Sequence, residues 1–343
     1  MKKHLFRAVS LMLLAALCLT LFAGCSPRKA TIFTVNGDDV CYDDIMVHLF
    51  FQKYDLFSSQ ISNGTMTFDN LYNLDVDMLS KELSDGVTLS DYLLLTATNT
   101  ALSAQLCRQL AKENKLKITA SDKKTIEATR EQFIQTLGGA KSFNTFLKKS
   151  GTTDGAYTRY LENSLYMSKL LKLFGDGQKF ALTADEKDKA KEDYAEQYIS
   201  TRQLLFLTIN SSTGTSLSDA EIEKAHQRAQ AALARLKNGE DFEAVRKDGE
   251  VDNASEGTLT FTTGEMVSEY ETAAFALQVG EISDLVKTKY GYHIIIRDEL
   301  SNDKYATYYQ TVIQAKFQNY LNEHSEAAKI KINDKNYDSI VVR

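Results

Sequence analysis

Two apolar rhythms share this chain, and the point where one gives way to the other restricts the fold more than any other feature. From residue 41 to residue 198 apolar residues recur at helical spacing. At residue 200 the run STRQLLFLTI takes over, with the apolar, β-prone character of a strand buried in a sheet. The spacing therefore predicts a helical layer followed by a mixed strand and helix unit, an α+β arrangement.

Within the helical layer, TIFTVNGDDV (31–40) alternates and turns at Asn36-Gly37, a hairpin signal. Helices are expected over 41–57, over 90–116 with Ser90 as a plausible cap, over 121–137 ending at Gly138-Gly139, and over 142–151, 154–174 and 183–198. Residues 58–85 are polar and irregular and read as a loop with a short helix. After the switch, Ser218 and Glu221 form an S-D-A-E capping box. Ile222, Ala225, Ala229, Leu233 and Leu236 stripe the helix that follows, and Gly239 ends it. A short helix over 241–250, a strand TLTFT (258–262), a helix over 268–278 and a strand HIII (293–296) complete a β-α-α-β-α-β unit. A helix over 304–329 follows, and KIKINDKNYDSIVV alternates like an edge strand.

The first residues stand apart from this pattern. MKKHLFR carries Lys2, Lys3 and Arg7, residues 8–22 are apolar, and Ala23-Gly24-Cys25 follows. That is a basic region, an apolar region and a small-residue cleavage site. The apolar run is short for a span, which takes about 20 residues. LFAGCS resembles a bacterial lipobox, with cleavage before Cys25 and lipid on its sulfur, which would hold the chain on the outer face of a membrane. A plain secretory signal or an uncleaved anchor are the other readings. Of the four cysteines, Cys18 would leave with the signal, and Cys41 and Cys107 would remain either as a bridge or as two buried thiols. No spacing looks like a zinc site. With 43% hydrophobic residues, 25% charged residues and a net charge of -6, the chain is ordinary for a globular protein. No basic stretch with interleaved aromatics points to nucleic acid.

Three stretches then bear on function. GEMVSEYETAAFAL (264–277) and GEISDLVKTKYGYHIII (280–296) follow NGEDFEAV (238–245), and together they resemble the signature of parvulin-type peptidyl-prolyl isomerases. The whole arrangement, a helical N-terminal segment, this unit and a returning C-terminal helix, is similar to PrsA/SurA-like extracytoplasmic foldases. The resemblance implies a parvulin-like domain over 199–301 inserted in a helical chaperone-like module made of 25–198 and 302–343. It implies prolyl isomerisation that assists the folding of secreted proteins with X-Pro bonds, and no cofactor. It also places residues. Leu259, Met266 and Tyr270 fall on the positions that line the proline pocket, with tyrosine where phenylalanine is usual. Thr288 and His293 fall on its polar back wall. Gln203 stands where the family carries a second histidine; glutamine can hydrogen-bond an imidazole but cannot take up a proton. The family's Cys or Asp beside the amide corresponds to Glu250 without a gap and to Asp252 with a small one. The turn EGTLTF (256–261) keeps one of the family's glycines and loses two. The loop NSSTGTSLS carries no Lys or Arg, so no requirement for a phosphorylated residue before proline is expected.

Each of these residues also has a structural reading: His293 as the centre of a hydrogen-bond network, Leu259 and Met266 as core, Tyr270 as packing, Glu250 and Asp252 as solvated loop acids. Two further functions compete with catalysis. One is a non-catalytic holdase that keeps a degenerate parvulin unit for binding, motivated by Gln203 and the lost glycines. The other is a structural lipoprotein that recruits a single partner.

Overall fold

The computed structural model describes residues 29–248 and 257–343. Cys25, Glu250 and Asp252 lie outside the described residues. The chain divides into two compact units, one made of residues up to 181 with 314–343, the other of 182–313.

In the first unit, β1 (Thr31–Val35) pairs antiparallel with β2 (Asp38–Cys41). Asn36 and Gly37 both take positive φ, 52° and 96°, as the twist of a two-residue hairpin turn demands. Helices α1 (Tyr42–Ser62), α3 (Leu89–Glu113) and α6 (Asp154–Lys172) carry the main packing. Phe50, Phe146, Leu93, Ala97 and Tyr157 are buried in one cluster with α5 (Ala140–Lys149). The Phe50 and Phe146 rings meet edge to face at 4.8 Å. Helix α4 (Ala120–Thr136) adds Ile126 and Ile134 as its buried residues.

Two local expectations are corrected here, and a third, the short helix within 58–85, is met and extended. The cap of α3 is Thr88, not Ser90: Thr88 Oγ1 accepts from the Asp91 amide at 3.2 Å, and the Asp91 carboxylate accepts from the Thr88 amide at 3.0 Å. The helix starts one residue earlier than the pattern suggested, so Ser90 lies inside its first turn. The irregular stretch 58–85 holds a 3₁₀ turn (Phe68–Tyr72), a short helix α2 (Val76–Ser80) and the first strand of a hairpin, β3 (Glu82–Ser84) with β4 (Val87–Thr88). Asp85 and Gly86 turn that hairpin at φ 47° and 79°. The C-terminal run is a strand only over β9 (Ile330–Ile332), which pairs with β1. Asn333 then caps the short helix α12 (Asp334–Tyr337), and Ile340 and Val342 are buried beyond it. Cys41 and Cys107 are both unbridged.

The second unit opens with α7 (Ala184–Gln197). Its sheet has the order β6-β5-β8-β7, formed by Leu259–Thr262, Tyr198–Leu207, Gly291–Asp298 and Val286–Lys287, with every pairing antiparallel. The two-residue β7 adds a strand to the expected succession. Alternation sorts the side chains onto two faces. Leu204, Phe206, Ile294 and Ile296 pack against α8 (Asp219–Lys237) and α9 (Phe242–Asp248), meeting Ala225, Ala229, Ala232 and Leu236. The Ser218–Glu221 capping box starts α8 as expected. On the other face, Ile199, Phe261 and Ile295 pack against Tyr270 and Ala274 of α10 (Ser268–Ala276).

The unit is cut at 181/182 and 313/314, wider than the 199–301 expected. Aromatic contacts join the added segments to it. Tyr194 of α7 stacks on Tyr198 at 4.6 Å and meets Tyr305 and Tyr308 at the start of α11 (Tyr305–Ala327). Its hydroxyl donates to the Ser301 carbonyl at 2.8 Å. Helix α7 is highly charged, and its two buried residues, Ala190 and Tyr194, bind it to this unit.

Candidate active site

The sheet face that carries Ile295 also carries the polar residues singled out by the sequence. Leu205 lies opposite His293 and Gln203 opposite Ile295, so Gln203 and His293 are diagonal neighbours on one face. Thr201 lies two residues before Gln203 and shares that face.

The close approach that sets this register depends on Gly291. A Cβ built there would sit 2.1 Å from the Phe206 carbonyl oxygen and 2.9 Å from its carbon. Only glycine lets β8 enter beside β5 at this point. The Gly-Tyr-His triplet thus has two tasks: Gly291 seats the strand, and His293, two residues on, is delivered to the site face.

His293 is 4% exposed. Its Nε2 lies 2.8 Å from Thr288 Oγ1, and its Nδ1 lies 2.7 Å from Gln203 Oε1. Thr288 Oγ1 also accepts from the Tyr290 amide at 3.1 Å. Thr288 is held in place because its own amide donates to the Gly291 carbonyl at 2.9 Å, closing the tight turn between β7 and β8. Burial lowers the imidazole's affinity for a second proton, and its pKa falls from the usual 6.5 to about 4. His293 is therefore a neutral hydrogen-bonding group at physiological pH.

Tyr270 of α10 meets the His293 ring edge-on, with centroids 5.3 Å apart at 74°. Its hydroxyl is paired with Thr201 Oγ1 at 2.9 Å, and burial pushes the phenol up to about 12. The hydroxyl that distinguishes this residue from phenylalanine thus points into the protein, and the ring keeps an apolar face. Leu259 and Met266 are half-buried against the same cluster. The structure therefore brings Gln203, Leu259, Met266, Tyr270, Thr288 and His293 into one neighbourhood, while Glu250 and Asp252 lie outside the described residues. Two residues of this neighbourhood were not foreseen. Thr201 satisfies Tyr270, and Ser283 exchanges two hydrogen bonds with Ile295, at 2.8 and 2.9 Å, that lock the segment before β7 along β8. The only signal for Thr201 was its parity with Gln203 along the strand.

What such an arrangement can do is limited and specific. Its one hydroxyl–imidazole pair among the described residues, Thr288 with His293, is buried; the site offers an apolar patch beside a fixed, neutral, polar wall. That suits a reaction with no covalent step, in which an amide is twisted out of resonance over a barrier of about 18–20 kcal/mol. The fold and this wall define a parvulin-type peptidyl-prolyl cis-trans isomerase domain, and residues 205–299 match the PPIC-type PPIase (rotamase) domain family.

Over a longer span the chain is similar to PrsA proteins. It is 27% identical over 280 residues to the foldase protein PrsA of Caldanaerobacter subterraneus, covering 79% of this chain and 76% of that one. It is 34% identical over 131 residues to foldase protein PrsA 3 of Bacillus anthracis, covering 33% of this chain and 46% of that one. Among solved structures, PrsA from Bacillus subtilis aligns at 21% identity over 78% of this chain and 94% of that one, with a TM-score of 0.26. Residues 205–299 thus form a parvulin-type peptidyl-prolyl isomerase domain, in a chain that is similar over a longer span to PrsA foldases.

Proposed function

We propose that this protein is an extracytoplasmic foldase that accelerates X-Pro isomerisation in secreted polypeptides and is held at the outer face of the membrane by lipid on Cys25. The observation that carries the catalytic part is His293, fixed between Thr288 and Gln203 beside the apolar surface of Leu259, Met266 and Tyr270. The proline ring rests on that apolar surface. The polar wall and the exclusion of water favour the twisted, non-resonant amide over the planar one. No bond to the protein forms. The names of the relatives, foldase protein PrsA, support polypeptide clients. The basic, apolar and small-residue succession that ends at Cys25 supports the anchor.

The test is a client polypeptide whose refolding is limited by a slow proline step, followed with a soluble form, residues 26–343. The slow phase is expected to accelerate, and Met266→Ala is expected to remove most of the acceleration. Unchanged kinetics would defeat the isomerase reading. The second reading, a holdase without catalysis, is favoured by Gln203 in place of the family histidine. It predicts suppressed client aggregation that survives Met266→Ala. The anchor is tested separately: the full chain should take up labelled fatty acid in a bacterial host, and Cys25→Ala should not.

A further inference from the structure

We propose that Gln203 is a positioning residue that fixes the proton of His293 on Nδ1, so that isomerisation at this site proceeds without a titrating histidine. The inference rests on the isomerase reading above and adds to it the protonation state and tautomer at which the site works.

The argument is one of donors and acceptors. Gln203 presents its amide oxygen to His293 Nδ1 at 2.7 Å, and an amide oxygen only accepts. Nδ1 must therefore carry the hydrogen. Nε2 is then an acceptor, and its partner 2.8 Å away, Thr288 Oγ1, must donate. That hydroxyl can do so because its oxygen takes the Tyr290 amide hydrogen from the other side. The chain runs in one direction, from Tyr290 N–H through Thr288 and His293 to Gln203, and each bond polarises the next. A proton added to Nε2 would face the Thr288 hydroxyl hydrogen. To relieve that contact the hydroxyl must turn away while its oxygen remains engaged by Tyr290. A histidine at position 203 could exchange protons with His293; glutamine cannot.

The surroundings agree. From β5 the ring meets Gln203 and Leu205; from β7 it faces Val286. From α10 it meets the Tyr270 phenol, which is occupied by Thr201. Lys287 pairs with Tyr292 on the opposite sheet face, and Lys289 lies over the Tyr290 ring at 5.1 Å. Among the described residues no carboxylate hydrogen-bonds the imidazole. Burial acts in the same direction as this geometry.

The test is nitrogen NMR of the histidines in a soluble form, residues 26–343, with His293 assigned by its loss in His293→Asn. Between about pH 8 and pH 5.5, His293 is expected to hold the Nδ1–H neutral tautomer with no titration. An Nε2–H tautomer, or a titration midpoint above about pH 6, would overturn the inference. In Gln203→Glu a carboxylate faces Nδ1–H and stabilises the imidazolium, so the His293 midpoint should rise by about one pH unit or more, a tenfold gain in proton affinity. A folded Gln203→Glu protein with no such rise would also overturn it. The wild-type spectrum decides even if that variant does not fold. Because the spectrum does not depend on turnover, failure of the two readings can be told apart. An Nδ1–H histidine in a protein that does not catalyse defeats the isomerase reading alone. Catalysis with a step in rate near neutral pH that follows His293 defeats this one alone.

Discussion

Replacing Gly291 with alanine should break the sheet where the site is built. The new methyl carbon would lie 2.1 Å from the Phe206 carbonyl oxygen, 2.9 Å from its carbon and 3.0 Å from Leu207 Cα. All three are backbone atoms of the neighbouring strand, so no side chain can turn aside. Ordinary contact requires the strands to part by about 1 Å, well outside the tolerance of a close-packed interior. The bonds at risk are local: the Thr208 amide to the Tyr290 carbonyl and the Thr288 amide to the Gly291 carbonyl, both 2.9 Å, together with the last rungs of the β5–β8 ladder. Two or three hydrogen bonds at about 1 kcal/mol each, with the overpacking itself, put the cost at about 2–4 kcal/mol. Hydrogen exchange over 198–207 and 291–298 reads this directly, because opening of these strands would become about 30- to 700-fold more frequent at about 1.4 kcal/mol per decade. Isomerase turnover should fall with it, since His293 lies two residues away. Exchange within about threefold of wild type, or less than 0.6 kcal/mol, would refute the close-approach argument.

Tyr270→Phe removes the partner of the buried Thr201 hydroxyl but keeps the ring; stability should fall by about 1 kcal/mol while turnover persists, and a collapse in turnover with full stability would show that the phenol acts on substrate. Thr88→Ala should cost about 1 kcal/mol in denaturant unfolding and Ser90→Ala nearly nothing, because only Thr88 caps α3; equal effects would reject that assignment. His48 is buried against Tyr160, and burial takes its pKa from 6.5 to about 4. The unfolded chain then binds more protons than the folded one between those values, so stability present above 6.5 is lost as pH falls toward 4. One such imidazole accounts for up to about 3 kcal/mol. His48→Phe should remove its share of that acid limb of denaturant midpoint against pH, leaving the share of His293, and an unchanged limb would show that His48 is not a source.

What could be read in the sequence was what residues within a few positions of each other decide. The Asn36-Gly37 turn and the Ser218–Glu221 box are complete local statements, and both formed as written. The Asp85-Gly86 turn was equally local but was hidden inside a polar stretch whose strands run only two or three residues. Long-range partners were not legible. Strand β9 pairs only over Ile330–Ile332 with β1, which lies at the other end of the chain, and alternation alone cannot state how far pairing extends. Helix α7 reads as solvated charge until Tyr194 finds Tyr198, Tyr305 and Tyr308. The candidate site shows the same division. Its residues could be picked out by spacing, but Gln203 and His293 are brought together from ninety positions apart, and Thr201 and Tyr270 from sixty-nine. The first contact is a product of the β5–β8 register, the second of the packing of α10 on that sheet face.

The most direct measurement is the cis-trans isomerisation rate of unphosphorylated Xaa-Pro tetrapeptides with a soluble form, residues 26–343, beside His293→Ala. A clear acceleration that drops by at least tenfold in a folded His293→Ala protein is the predicted result, since removing one preorganised polar group from such a site costs about 2 kcal/mol or more. No acceleration by the folded wild-type chain, or equal acceleration by the variant, would contradict the account.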